Sequence, residues 1–141
     1  MIVFLDTSAI VPLLVEESTS ARCERLWRDA DGIAASALAY VEVHTALAQA
    51  ARQGRLSAAA LEQVCESFEE LWDQIVAITP SDGIIRSAAR LGARHALRGY
   101  DAVQCATALA AASDDFVAVS GDRDLLRAWT DLGLVTVDTA G

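Results

Sequence analysis

Five short apolar runs, separated by stretches of helical spacing, constrain this chain more than any other feature of it. They are Ile2 to Leu5, Ile33 to Ala35, Ile75 to Ile78, Phe116 to Val119 and Leu134 to Val137. Apolar residues without polar alternation mark strands buried on both faces, which is the habit of a parallel sheet. Parallel neighbours need a crossover long enough to hold a helix, and the intervening sequence supplies one each time. Helices are expected from Ala21 to about Asp29, from Ala37 through Arg52, after a Ser57 cap, from about Gly83 to Ala96, from Asp101 to Ala112, and from Asp122 to Thr130. Leu38, Val41, Thr45 and Ala48 form one stripe of the Ala37 helix, with Val43, Leu47 and Ala50 beside it. Gly54 ends that helix, and the next carries Glu62, Glu66, Glu69, Glu70 and Asp73 on its wet face, so the two form a hairpin. Strands alternating with helices predict an α/β architecture with a mostly parallel central sheet.

The length of 141 residues fits one domain spanning 1–141, long enough for a core without disulfide or metal staples. No apolar run approaches the roughly 18 residues of a membrane span, and Asp6 interrupts the first run too early for a signal peptide. A cytoplasmic protein with no membrane partner is the expectation. The 3 cysteines, Cys23, Cys65 and Cys105, are odd in number and widely spaced, so they read as core residues rather than a disulfide set or a zinc site. Net charge is −9, which argues against general affinity for a polyanion. Every basic side chain is Arg, so a phosphate-binding Lys, a Schiff-base Lys and a Lys general base are all excluded.

Asp6 stands where the first run stops, at a strand's carboxyl end, the edge at which open α/β sheets bind ligands. Thr7 and Ser8 are expected to cap the helix begun by Ala9 and Ile10. Three more acids occupy comparable places: Glu42 near the start of the Ala37 helix, Asp101 at a helix start, and Asp122 after the Phe116 run. Singly each has a plain structural role, as a cap, a turn acid or a solvated helix face. Asp124, two residues on, either favours a helix amino terminus or is a peripheral member of the group. Were Asp6, Glu42, Asp101 and Asp122 to converge, their mutual repulsion would raise their pKa values unless a cation neutralised them. Hard oxygen donors suit Mg²⁺ or Mn²⁺, ions that keep several waters and commonly meet phosphate oxygens. Metal-assisted phosphodiester hydrolysis is the reaction class that follows.

Four segments carry a resemblance. Phe4-Leu5-Asp6-Thr7-Ser8-Ala9, Val41-Glu42-Val43, Gly99-Tyr100-Asp101-Ala102-Val103-Gln104-Cys105-Ala106-Thr107-Ala108 and Val119-Ser120-Gly121-Asp122-Arg123-Asp124 resemble the PIN-domain family, in order and across nearly the whole chain. The VapC toxins of bacterial toxin–antitoxin systems are the most similar branch. The resemblance implies a three-layer α/β/α sandwich and Mg²⁺- or Mn²⁺-dependent endoribonuclease activity. It further implies homodimerisation and neutralisation by a cognate antitoxin whose tail occupies the active-site groove. It places Asp6, Glu42, Asp101 and Asp122 at the family's acidic metal site and Ser120 at its small hydroxyl position. An aspartyl-phosphate phosphotransfer or hydrolase domain, with Asp6 as acceptor, is a competing class. A catalytically silent RNA- or protein-binding module of the same fold is another.

Arg86, Arg90, Arg94 and Arg98 recur every four residues along one helix face. Either they form a solvated stripe pairing with acids, or Arg98 and Arg94 hold RNA phosphates beside the acids. Arg123, between two acids, orients them or meets a substrate or antitoxin group. His44 and His95 lack the spacing of a zinc pair, and Ser8 has no triad partners.

Overall fold

The computed structural model describes residues 1–141. Its five strands are β1 (Ile2–Leu5), β2 (Gly32–Ser36), β3 (Ile75–Ile78), β4 (Phe116–Ser120) and β5 (Thr136–Asp138). The seven helices are α1 (Thr7–Ile10), α2 (Ser20–Asp29), α3 (Leu38–Arg52), α4 (Ala58–Trp72), α5 (Asp82–His95), α6 (Gly99–Ala111) and α7 (Arg123–Asp131). A 3₁₀ turn over Val11–Leu13 follows α1. The sheet order is β3-β2-β1-β4-β5, and every neighbouring pair is parallel. From β1 the chain winds outward one way to β2 and β3, then returns to lay β4 and β5 on the other side. The switch point therefore lies between β1 and β4, where the loops leave in opposite directions and open a crevice.

Side chains alternate across the sheet as the strand period requires. Val3, Leu5, Ile33, Ala35, Val117 and Val119 face one layer, with Ala9, Ile10, Cys23, Val43, Leu47 and Phe68 packed against them. Phe4, Ala34, Phe116 and Ala118 face the other, against Cys105, Ala108, Leu125, Ala128 and Trp129. Two cores on two faces make the α/β/α sandwich. The second layer is built from small residues: Ala88, Ala102 and Ala106 form the contact between α5 and α6. A Cβ on Gly92 would sit 3.0 Å from that of Ala102, so the two backbones approach as closely as glycine permits.

Four readings are refined or corrected. On α3 the buried positions are Ala39, Val43, Leu47 and Ala50, whereas Leu38 and Val41 are 37% and 60% exposed. The helix is apolar on two sides, and the sheet takes the face beginning at Ala39. Helix α6 starts at Gly99, so Asp101 lies inside its first turn and is no cap. Helix α1 starts at Thr7 after an extended Asp6, so neither Thr7 nor Ser8 caps it. Cys65 is only half-buried, while Cys23 and Cys105 are in the core as expected. Ser57 and Ser81 do cap α4 and α5, accepting from the amides of Ala60 and Ile84. No helix is long and apolar enough to cross a membrane.

Candidate active site

The carboxyl ends of β1 and β4 are bound to each other by hydroxyls. Asp6, only 5% exposed, receives bonds on Oδ2 from Ser8 Oγ at 2.8 Å and Ser120 Oγ at 2.9 Å. Each serine in turn accepts a backbone amide from the loop after β4, Gly121 to Ser8 and Asp122 to Ser120, at 2.8 and 2.9 Å. Both side chains are thereby fixed with their protons toward the carboxylate. Burial nonetheless raises the Asp6 pKa, and the serine bonds only partly offset it.

Around Asp6 lies a cleft of about 360 Å³, lined by Asp6, Thr7, Ser8, Val11, Glu17, Glu42, Ala46, Arg98, Asp101 and Asp122. The four acids singled out by the sequence thus share one cavity, joined by a fifth, Glu17. Glu42 arrives from the first turns of α3, Asp101 from the first turn of α6, and Asp122 from the loop after β4. Desolvation raises the Glu42 pKa, and the charges of Asp6 and Asp101 raise it further, with the neighbouring Tyr100 hydroxyl opposing them. Asp101 is raised by desolvation and then by Asp122 and Asp6, with Arg98 opposing. Asp122 also caps α7, accepting from Leu125 N at 3.0 Å, where the sequence suggested a turn acid.

The basic residues divide. Arg98 lines the cleft with Nε 3.8 Å from Asp101 Oδ2, and its side chain is 91% exposed, free to swing toward an incoming anion. Arg94 and Arg123 are exposed and do not line it. Arg86 is tied to Asp82 of its own helix at 2.8 Å. Asp124 also lies outside the lining and pairs with Arg127 at 3.0 Å.

Sequence reasoning missed Tyr100, Thr7, Gln104 and Glu17. Tyr100 Oη accepts from the buried Gln104 Nε2 at 2.5 Å and lies 3.1 Å from Thr7 Oγ1. The i, i+4 spacing of Tyr100 and Gln104 beside Asp101 was the available signal. Glu17 lies in a connecting segment with no periodicity to flag it.

No three His, Cys, Asp or Glu side chains stand close enough to form a finished metal cage. The donor set still fits a hard divalent ion that keeps most of its waters. Such an ion needs only one or two direct carboxylates, and the others can bind its waters. Acids whose pKa values are raised by one another's charge have a net need for a cation at this point.

Comparison with known proteins bears on the family and the fold. A family model described as PIN domain matches residues 3–129. Ribonuclease VapC45 of Mycobacterium tuberculosis is 37% identical over 124 residues, covering 88% of this chain and 86% of that protein. Among solved structures, VapC20 of Mycobacterium tuberculosis, a sarcin-ricin loop cleaving toxin, superposes with a TM-score of 0.70 at 19% identity, over 96% of this chain and 98% of the other. A toxin–antitoxin complex from Klebsiella pneumoniae gives 0.69 at 14% identity, over 97% of both chains. At those identities the structural likeness speaks for the fold.

Proposed function

This chain belongs to the PIN-domain family, and from that membership we propose that it is a metal-dependent endoribonuclease, the toxin of a toxin–antitoxin pair. The observation that carries the reading is the convergence of Asp6, Glu42, Asp101 and Asp122, from four separate elements, on one cleft at the switch point of the sheet. These four carboxylates would hold Mg²⁺ or Mn²⁺. When bound, such an ion supplies Lewis-acid polarisation of the phosphodiester and acidifies water beside it. Asp6, locked by Ser8 and Ser120, gives the site its fixed point. Glu42 and Asp101, whose pKa values burial raises, would accept the proton of the attacking water. Arg98 draws a substrate phosphate toward a cleft whose own charge would repel it.

The partners of this reading are an RNA substrate, a cognate antitoxin and a second copy of the chain, in the cytoplasm. Beside the acids, Leu38, Val41, Glu42, Thr45 and Tyr100 line an apolar trough of about 360 Å³, suited to an antitoxin segment with apolar anchors and a basic end. Leu38 and Val41 are exposed there, 37% and 60%. The aspartyl-phosphate alternative gains nothing from the geometry, since Asp6 is buried and already hydrogen-bonded by two serines.

The experiment is RNA cleavage with Mn²⁺ or Mg²⁺ by the wild type, Asp6→Asn and Asp101→Asn. Activity that needs the ion and disappears in both variants supports the nuclease and eliminates the silent binding module. Undiminished cleavage in either variant removes that acid from the mechanism.

A further inference from the structure

Resting on the reading of the cleft as a ribonuclease site, we propose that the outward face of α5 is a phosphate track, on which Arg94 and Arg90 hold the backbone of single-stranded RNA running out of the cleft past Arg98. The need for such a track starts inside the cleft. Five carboxylates line it against one arginine, Arg98, in a chain of net charge −9. A divalent ion offsets only part of that charge, and the rest repels the phosphates on either side of the one being cut. Affinity for a strand therefore has to be supplied from outside the cleft.

Between Asp82 and Asp101 the chain carries Arg86, Arg90, Arg94 and Arg98 and no acid. The first three stand four residues apart on one face of α5, with about 6 Å of rise from each to the next. All three are exposed, and Ala88 on the opposite side packs against α6. Arg86 is neutralised by Asp82, whereas Arg90 and Arg94 have no carboxylate within ion-pair reach. The helix itself gains little from this row, because like charges at i, i+4 repel. Arg94 is favoured by the carboxyl end of α5, but Arg90 lies a turn earlier, beyond that effect.

A self-repelling row of guanidinium groups suits a row of anions, and the guanidinium fork matches phosphate oxygens. From Ile85 to Arg94 the other exposed residues are Ile85, Ala89 and Ala93, with no aromatic ring to stack a base and no amide side chain to read one. The track therefore grips backbone and is indifferent to sequence. It is also continuous with the cleft. Helix α5 ends at His95, Leu97 N closes on Gly92 O, and the next residue, Arg98, lines the cleft beside Asp101.

The probes are fluorescein-labelled, mixed-sequence single-stranded RNAs of about four and about twelve nucleotides. Binding is read by fluorescence anisotropy in the Asp6→Asn background with Mg²⁺, where the RNA stays intact. Arg90→Ala/Arg94→Ala is expected to weaken the longer RNA about tenfold and to lower the slope of log affinity against log salt by about 1.4, the share of two single-strand phosphates. The shorter RNA, which the cleft alone accommodates, is expected to bind as before. In the otherwise wild-type chain the same pair should raise KM for the longer RNA about tenfold at unchanged kcat, with Tm level or higher, since alanine is the better helix former. Arg25→Ala/Arg28→Ala removes as much charge from exposed positions of α2, in the layer across the sheet, and should leave binding near wild type. Equal losses in the two pairs would reduce the effect to net charge, and equal losses for the two RNAs would place the arginines at the cleft; either overturns the track. RNA affinity untouched by the α5 pair overturns it too, and affinity for a poly-glutamate peptide lost in that case would give the face to an acidic protein segment. If the longer RNA depends on Arg90 and Arg94 but the wild type cuts no RNA, the ribonuclease reading fails and the track stands.

Discussion

The loops after β1 and β4 are neighbours, and both place an aspartate where a parallel strand ends, yet the two acids live under different physics. Asp6 makes no cap and is buried, held by serine hydroxyls in a state its surroundings make costly when charged. Asp122 is half-exposed and caps α7 through Leu125 N, so the helix gains from its charge. The first is a carboxylate the fold tolerates, and the second is one the fold uses. A buried acid whose hydrogen bonds only partly repay its burial is the stronger functional signal.

The largest expected effect belongs to Asp6. Asp6→Asn should reduce RNA cleavage on the order of a thousandfold while leaving Tm unchanged or higher in chelator, measured by parallel activity assay and thermal melt. The pH dependence has a definite sign. Because the folded pKa is raised, ionised Asp6 destabilises the protein above its unfolded carboxylate value, and that penalty disappears as pH falls through the folded value. The Tm gap between Asp6→Asn and wild type should therefore widen as pH rises through the carboxylate range and close below it. A variant less stable than wild type at neutral pH would place Asp6 with Asp122 as a structural acid.

Asp122 should separate its two roles. Asp122→Asn preserves capping and should lose activity on the order of a hundredfold with stability kept. Asp122→Ala should lose activity and, in denaturant unfolding, about 1 kcal/mol besides. Equal stability of the two variants would remove the cap from the account. Ser120→Ala takes a donor from Asp6 and an acceptor from the Asp122 amide, and should cost about 1–3 kcal/mol by the same measurement. The smallest effect is expected at Asp124, which points to Arg127 outside the cleft. Asp124→Ala should stay within about 0.5 kcal/mol of wild type, with RNA cleavage unchanged, and a large activity loss would return it to the site.

Much of this was written in linear order. The apolar runs stop at Asp6 and just before Asp122, and the small residues after Asp101 announce a close-packed helix, so the strand ends and three of the acids could be placed before any coordinates. What the chain could not disclose was choice among equals. Helix α3 offers two apolar faces, and only docking on the sheet decided that Val43 and Leu47 go in while Val41 stays out. Asp101 reads equally well as a cap until Gly99 is seen to be helical. The Tyr100 oxygen links residues as distant as Thr7 and Gln104, a relation no local spacing encodes. Of the arginine stripe, pairing within α5 removed Arg86, and location alone distinguished Arg98.

The strand order has a consequence for synthesis. β1 leaves the ribosome before the other four strands and is the central strand of the sheet, yet one of its two neighbours is β4, more than a hundred residues later. Asp6 acquires Ser120 and Asp122 only when that late strand docks. Contacts so distant in sequence carry a large loop-closure cost and slow folding. A chain in which β4 has not docked therefore carries Asp6, Glu42 and Asp101 without the cleft that gathers them.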